Sequence, residues 1–203
     1  MRTSIIIACV GLALWTAPGA ASAKTINTRF ETDLDACCDA PSENNGGKAD
    51  YKLQTAKGAT KQEVFRTIVH VELPSTVLGL NDASDAQAAD VRVILSRTAT
   101  PYAECSLVFT EIQQETEIED GEPVTTNEAS FFVDVRNLLK KGSLQLATPI
   151  GTCDVDLGTA GVQGGVPAVQ AGDTATVVLV DPSEASSPPA SRTLDDTFLQ
   201  GTF

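Results

Sequence analysis

The stretch ECSLVFTEIQQETEIEDGEPVTTNEASFFVDVRN, residues 104–137, decides the fold class of this chain. Apolar and polar residues alternate along both of its halves, which is the period-two pattern of a half-buried β-strand. The halves are joined by Asp120, Gly121 and Pro123, which are residue types that form tight turns. The stretch therefore predicts a long antiparallel hairpin with a strongly acidic tip.

Shorter alternating runs flank this hairpin on both sides and predict further strands. They are KTINTRFET from Lys24, ADYKLQT from Ala49, EVFRTIVHVEL from Glu63, VRVIL from Val91, SLQLAT from Ser143, CDVDL from Cys153 and TFLQGTF from Thr197. The nearly continuous apolar run at 174–180 predicts a strand in the middle of a sheet. Asn45, Gly46 and Gly47 are expected to form a turn before the second of these strands.

Helical composition is confined to residues 81–90, which are rich in alanine. Many short strands with almost no helix are typical of two packed antiparallel sheets. We therefore expect an all-β fold, an antiparallel two-sheet β-sandwich of immunoglobulin-like or jelly-roll-like type, stapled by disulfides and holding at most one short helix.

The first 23 residues have the layout of a secretory signal peptide. A basic residue, Arg2, precedes an apolar run, and the small residues Ala21, Ser22 and Ala23 form a cleavage site. No later segment has the ~20 apolar residues of a membrane helix. We expect residues 1–23 to be removed and residues 24–203 to form one β-sandwich domain without a membrane span, secreted or periplasmic.

The charge of the chain narrows the choice of partner. The sequence has 14 Lys and Arg against 27 Asp and Glu, a formal net charge of −13 at pH 7. Such a chain is repelled by the phosphates of nucleic acid and by anionic membrane surfaces. The expected partner is another extracytoplasmic protein or surface component.

Four cysteines follow the expected cleavage site, Cys37, Cys38, Cys105 and Cys153. In an oxidising compartment all four are expected in disulfides, with three pairings possible. Neighbouring Cα atoms lie ~3.8 Å apart, too close for an unstrained bond between Cys37 and Cys38. We favour one bond from each of these two to the strand cysteines. The alternative joins Cys105 to Cys153, because alternation points both inward, and leaves the adjacent pair as thiols or a redox-active bond.

The residues that carry hydrolytic chemistry are scarce. His70 is the only histidine, it is expected to point outward from mid-strand, and no G-x-S-x-G turn presents a nucleophile. We expect no catalytic residue and no bound cofactor. A non-enzyme is the predicted class, with no turnover that depends on His70.

The acidic residues form several local clusters, but none matches the twelve-residue calcium loop. The weak calcium candidates are Asp33 and Asp35 before the cysteine pair, and Asp82 and Asp85 before VRVIL. Glu115, Glu117 and Glu119 of the hairpin share one face by alternation. Because carboxylates on one wet face repel each other, we interpret these three as protection of a sheet edge.

These patterns favour a non-catalytic exported domain that binds or packs against another extracytoplasmic macromolecule. One alternative is a fimbria-like assembly subunit in which KTINTRFET or TFLQGTF is a donated strand. Others are a calcium-binding surface protein and, less favoured, an enzyme of unrecognised type.

Overall fold

The computed structural model describes residues 25–38, 45–56, 60–119, 122–140, 143–146, 149–155, 157, 165–180 and 197–203. The expected signal peptide lies outside these residues. The strands are β1 Thr25–Ala36, β2 Gly46–Ala56, β3 Thr60–Leu73, β4 Val91–Arg97, β5 Thr100–Ser106, β6 Val108–Glu119, β7 Glu122–Lys140, β8 Ser143–Leu146, β9 Thr152–Asp154, β10 Thr174–Leu179 and β11 Thr197–Thr202. A helix, α1, spans Ala83–Ala88. Within the described residues, no helix has the length and apolar character to cross a bilayer.

The strands form one antiparallel, curled sheet, a half-barrel, in the order β6-β7-β3-β2-β1-β11-β10-β4-β5-β9, with β8 also pairing with β7. The predicted all-β class is confirmed. A separation into two sheets is not confirmed, because β1 and β11 hydrogen-bond and join the two halves of the curl. The far end of the sheet also returns to β7, where Asp134 and Ile150 exchange two backbone hydrogen bonds of 2.8 and 3.0 Å.

The inside of the curl holds the core. Alternation on β3 works as predicted, since Phe65 and Val69 are fully buried while Arg66 and His70 lie on the outer face. The largest completely buried side chains are Phe65, Phe131, Phe198, Leu34, Leu95 and Leu199. Each such side chain stabilises the fold by roughly 1.5–3 kcal/mol relative to exposure in water. The outer, convex face is left to polar residues and a few apolar ones.

The long hairpin and the central strand are confirmed. Strands β6 and β7 pair from Val108 with Phe132 out to Glu119 with Glu122. The apolar run at 174–180 forms β10, which lies between β4 and β11 and is buried along most of its length.

The expected turn at Asn45, Gly46 and Gly47 is wrong, because both glycines belong to β2. Gly47 pairs with Leu34 of β1 and with Val69 of β3. A Cβ at Gly47 would lie 2.4 Å from the Ile68 carbonyl oxygen, so the close approach of β3 to β2 leaves no room for a side chain here. The glycine is required by close backbone approach in a strand.

The terminal strands β1 and β11 each have two partners. Strand β1 pairs with β2 and β11, and β11 pairs with β1 and β10. A donated strand formed by either segment would therefore have to leave a position in the middle of the sheet. In the described part of the chain the strand order ends at β6 and at β9, and β8 pairs only with β7.

The disulfide differs from the favoured pairing. Cys105 and Cys153 face each other in register on β5 and β9 and are bonded, with their Cα atoms 4.0 Å apart. The two staples from Cys37 and Cys38 to these strands are therefore wrong. The bond is the alternative pairing, for which alternation pointed both strand cysteines inward, and it joins adjacent strands of one sheet. Cys38 is exposed at the end of β1.

Candidate functional site

The outer face of β3, β6 and β7 carries a row of apolar side chains. Ile68 on β3 pairs with Phe132 on β7, which pairs with Val108 on β6, and Ile150 lies beside them opposite Asp134. We call these four residues the apolar row. Ile68, Val108 and Ile150 are 37%, 45% and 45% exposed. A contiguous exposed apolar patch with a polar rim is typical of a protein interaction site.

Two arginines flank the apolar row on one side and share one buried carboxylate. Asp134 is in direct register with Arg66, whose Nε donates to its Oδ2 at 2.8 Å. Arg136 donates from Nε to Oδ1 at 2.7 Å and from Nη2 to Oδ2 at 2.5 Å. The Asp134 side chain is 7% exposed, whereas those of Arg66 and Arg136 are 40% and 38% exposed. We call Arg66 and Arg136, which share Asp134, the arginine pair.

The electrostatics of the arginine pair favour an anionic partner. Burial would raise the pKa of Asp134, but the hydrogen bonds from Arg136 and Arg66 and the charges of both arginines outweigh it and hold that pKa below its usual range. Two guanidinium charges against one carboxylate leave a local charge of +1. The side chains of Arg66 and Arg136 are partly exposed, and each guanidinium has more N–H donors than its bonds to Asp134 use, so a carboxylate can accept from them.

The other side of the apolar row is polar and acidic. His70 Nδ1 lies 3.1 Å from Ser130 Oγ and 3.9 Å from Glu128 Oε2. Glu72 and Glu128 are in register on β3 and β7, and Glu111 is in register with Ser130. This face is therefore polarised along the strands, with carboxylates at one end, apolar side chains in the middle and guanidinium groups at the other end.

His70, Ser130 and Glu128 have the residue types of a hydrolase triad without its geometry. In a triad the histidine uses one ring nitrogen for the serine and the other for the carboxylate. Here Ser130 Oγ and Glu128 Oε2 both lie nearest to Nδ1, and Ser130 is 2% exposed. The serine hydroxyl is buried in the sheet, where a substrate carbonyl does not reach it.

The hairpin extends past the rest of the sheet as an arm. Strand β3 ends at Leu73, opposite Asn127, so beyond this pair β6 and β7 pair only with each other within the described chain. We call residues 115–119 and 122–126 the arm. Residues 111–128 contain seven acidic residues, and no Lys or Arg occurs between Arg97 and Arg136. The side chains of the three glutamates expected to share a face, Glu115, Glu117 and Glu119, lie outside the described residues.

An ionic ladder covers the outer face of β1 and β2 next to β3. Arg29 contacts Glu31 and Asp50, Lys48 contacts Glu31 and Asp33, and Lys52 contacts Asp50. Most of these groups are exposed, so each pair contributes little to stability. The ladder is balanced in charge and offers no surplus cation or anion.

The four calcium candidates do not converge in the described structure. Asp82 caps α1 and accepts from the Ser84 and Asp85 amides at 2.7 and 3.1 Å. Hydrogen bonds from the Asn81 backbone and side chain hold the pKa of Asp85 below its usual range. Asp33 is 81% exposed, with Lys48 Nζ 3.9 Å away, and Asp35 is also exposed. Among the residues described, no group of three or more His, Cys, Asp or Glu is placed to hold a metal ion.

A second buried carboxylate, Asp173, anchors the segment before β10. Its oxygens accept from Arg97 Nε at 2.9 Å and Nη2 at 2.8 Å, from the Tyr102 hydroxyl at 2.9 Å and from the Gln170 amide at 2.8 Å. Its backbone carbonyl accepts from the Phe203 amide at 2.9 Å. Burial would raise the pKa of Asp173, but these donors, led by Arg97, hold it below its usual range. All its acceptors are occupied, which indicates a structural role.

The sequence pattern placed the hairpin but did not identify the polarised face. The apolar row is assembled from β3, β6, β7 and the segment before β9, so it depends on register between distant strands. The sequence signal that could have found this face was the presence of Ile68 and Phe132 at outward positions of strands whose outward residues are otherwise mostly polar. Comparison of the chain with protein-family models, with curated proteins and with solved structures finds no match.

Proposed function

We propose that this chain is an exported, non-catalytic binding domain, with its strands packed in two sandwich-like layers, that associates with another extracytoplasmic protein through the outer face of β3, β6 and β7. The observation that carries this proposal is the apolar row, exposed in the middle of a sheet face and rimmed by charge. Its side chains would lose water contact when a partner packs on them, which is the main favourable term in protein association.

The absence of a reactive arrangement among the described residues supports a binding role over catalysis. The one histidine contacts a buried serine and a carboxylate through the same ring nitrogen, and the buried carboxylates Asp134 and Asp173 are saturated by arginine. Calcium binding at Asp82 and Asp85 is less well supported than protein binding, because both carboxylates already accept hydrogen bonds at the start of α1.

Site-specific photo-crosslinking in the exporting cell tests the proposal. A photoreactive amino acid at Val108 lies within the apolar row, and the same amino acid at Val77, which is 61% exposed outside the row, is the matched control. We expect a discrete crosslinked adduct at position 108 and none at position 77. Equal crosslinking at both positions, or none at either, would contradict an interaction surface at the apolar row.

A further inference from the structure

The polarity of this face determines which partner it fits, on the premise that the face binds protein as proposed above. We infer that the partner is a second copy of this chain, packed face to face across a two-fold axis that lies along the apolar row. Three features carry the inference: the direction of the row, the opposite charges at its two sides, and the equal spacing of those charges from the row.

The apolar row runs across the strands. Ile68, Phe132 and Val108 are neighbours in register on β3, β7 and β6, so a line through them is perpendicular to the strand direction. A two-fold axis between two facing surfaces lies in the interface plane, and residues along the axis meet their own copies. With the axis on this line, each member of the row packs against the same row of the partner, and apolar surface covers apolar surface.

Rotation about this axis reverses the strand direction, so the acidic end of one copy lies over the arginine end of the other. On β7, Glu128 and Arg136 are each four residues from Phe132, and both positions are on the face of Phe132 by alternation. Four residues of strand span ~13 Å. The rotation therefore brings Arg136 of one copy over Glu128 of the other, and the reverse, as an isologous interface requires.

An axis along the strands would also pack the row on itself, but it would place Glu128 on Glu128 and Arg136 on Arg136. Like charges across an interface cost several kcal/mol, so the charge pattern selects the axis that crosses the strands. In the selected arrangement the arm also extends past Arg136 of the partner.

The arm gains most from such a partner. A two-stranded hairpin without a third strand is marginally stable in water. Of the arm residues with described side chains, Glu122 and Thr126 lie on the outer face by alternation from Phe132, and Glu122 is exposed. A second copy that covers the outer face of the arm would give it packing contacts, which the arm lacks where β3 has ended.

Analytical ultracentrifugation of the purified full chain tests the inference. We expect a dimer that dissociates as salt rises, because ion pairs form its ends. Val108→Lys is expected to raise the dimer Kd by at least about 100-fold through buried unpaired charge, whereas the control Val77→Lys leaves the Kd unchanged. A protein that is monomeric at its highest soluble concentration would overturn the inference, as would a dimer indifferent to Val108→Lys.

A charge exchange tests the axis itself. Arg136→Glu and Glu128→Arg are each expected to weaken the dimer by about 100-fold, and the double variant is expected to restore it, because both variants reverse the same pair. Arg29→Glu, on the outer face of β1, is the control for charge change alone. Thermal melts of each variant, together with the uncharged variant Arg136→Gln, show whether misfolding rather than the reversed charge weakens the dimer. Weakening that the double variant does not repair would overturn the proposed axis.

The crosslinking experiment separates this inference from the proposed function. An adduct at position 108 with twice the mass of the chain supports both. An adduct with a different protein, together with a monomeric purified chain, supports a binding face but overturns the dimer. If no adduct forms at position 108 and Val108→Lys does not weaken the dimer, both the proposed function and the dimer arrangement are overturned.

Discussion

Replacement of Asp173 by alanine is expected to be strongly destabilising, because it removes a buried carboxylate. The carboxylate is buried, and it accepts four hydrogen bonds from Arg97, Tyr102 and Gln170. Breaking a buried charged pair by removing one partner costs about 3–5 kcal/mol. The lower end applies here, because the Arg97 side chain is 41% exposed and water can solvate it after the change. Leaving the Tyr102 hydroxyl and the Gln170 amide without their acceptor accounts for about 1 kcal/mol each.

We therefore expect Asp173→Ala to lower the free energy of unfolding by about 3 kcal/mol, which corresponds to roughly 6–12 °C in Tm for a chain of this size. Urea denaturation and a thermal melt, both followed by circular dichroism, measure the change. Asp33→Ala is the matched control, since this carboxylate is exposed and its change is expected to stay within about 0.5 kcal/mol. Equal and small effects of the two variants would refute the view that the Asp173 cluster holds the segment before β10 in place.

Three further expectations follow from the same structure. The difference in unfolding free energy between wild type and Asp173→Ala should be largest above the ordinary aspartic acid pKa of about 3.9. It should shrink as the pH falls through the lowered pKa of Asp173 in the folded chain, because protonation removes the charge that Arg97 binds. A difference that grows in acid would contradict this expectation. Gly47→Ala should cost about 1–3 kcal/mol through its clash with a strand carbonyl, whereas Gly46→Ala, whose Cβ would meet nothing closer than 3.8 Å, should cost less than Gly47→Ala in the same urea titration. Reduction of the bond between Cys105 and Cys153, which are 48 residues apart, should lower stability by about 4 kcal/mol, and a non-reducing peptide map should show these two peptides linked.

Local pattern was enough to predict much of the secondary structure, though not the strand position of Gly46 and Gly47. The alternation of residues 104–137 predicted the hairpin, the apolar run at 174–180 predicted a central strand, and the alanine-rich segment predicted the helix α1. These features depend on side-chain period and turn chemistry over ten to thirty residues, so the chain carries them without reference to its neighbours in space.

The cysteine pairing and the glycine pair could not be determined in this way. Both strand cysteines were expected to point inward, but only the pairing of β5 with β9 puts them opposite each other. Gly47 resembles a turn residue in sequence. Only the close approach of the neighbouring strands β1 and β3 to β2 shows why a glycine is needed within the strand. Each depends on which strands are neighbours, and alternation contains no information on neighbours.

The candidate site is the feature that the sequence predicts least. Ile68, Phe132, Val108 and Ile150 are scattered over more than eighty residues, and each alone is an ordinary apolar residue at an outward strand position. Asp134 and Arg66 likewise become a pair only through the register of β3 with β7. The sequence determined that these strands are amphipathic, because that property repeats every second residue. The tertiary structure alone decided that their outward residues form one polarised face, because strand order and register are set by long-range hydrogen bonding and by how the core packs.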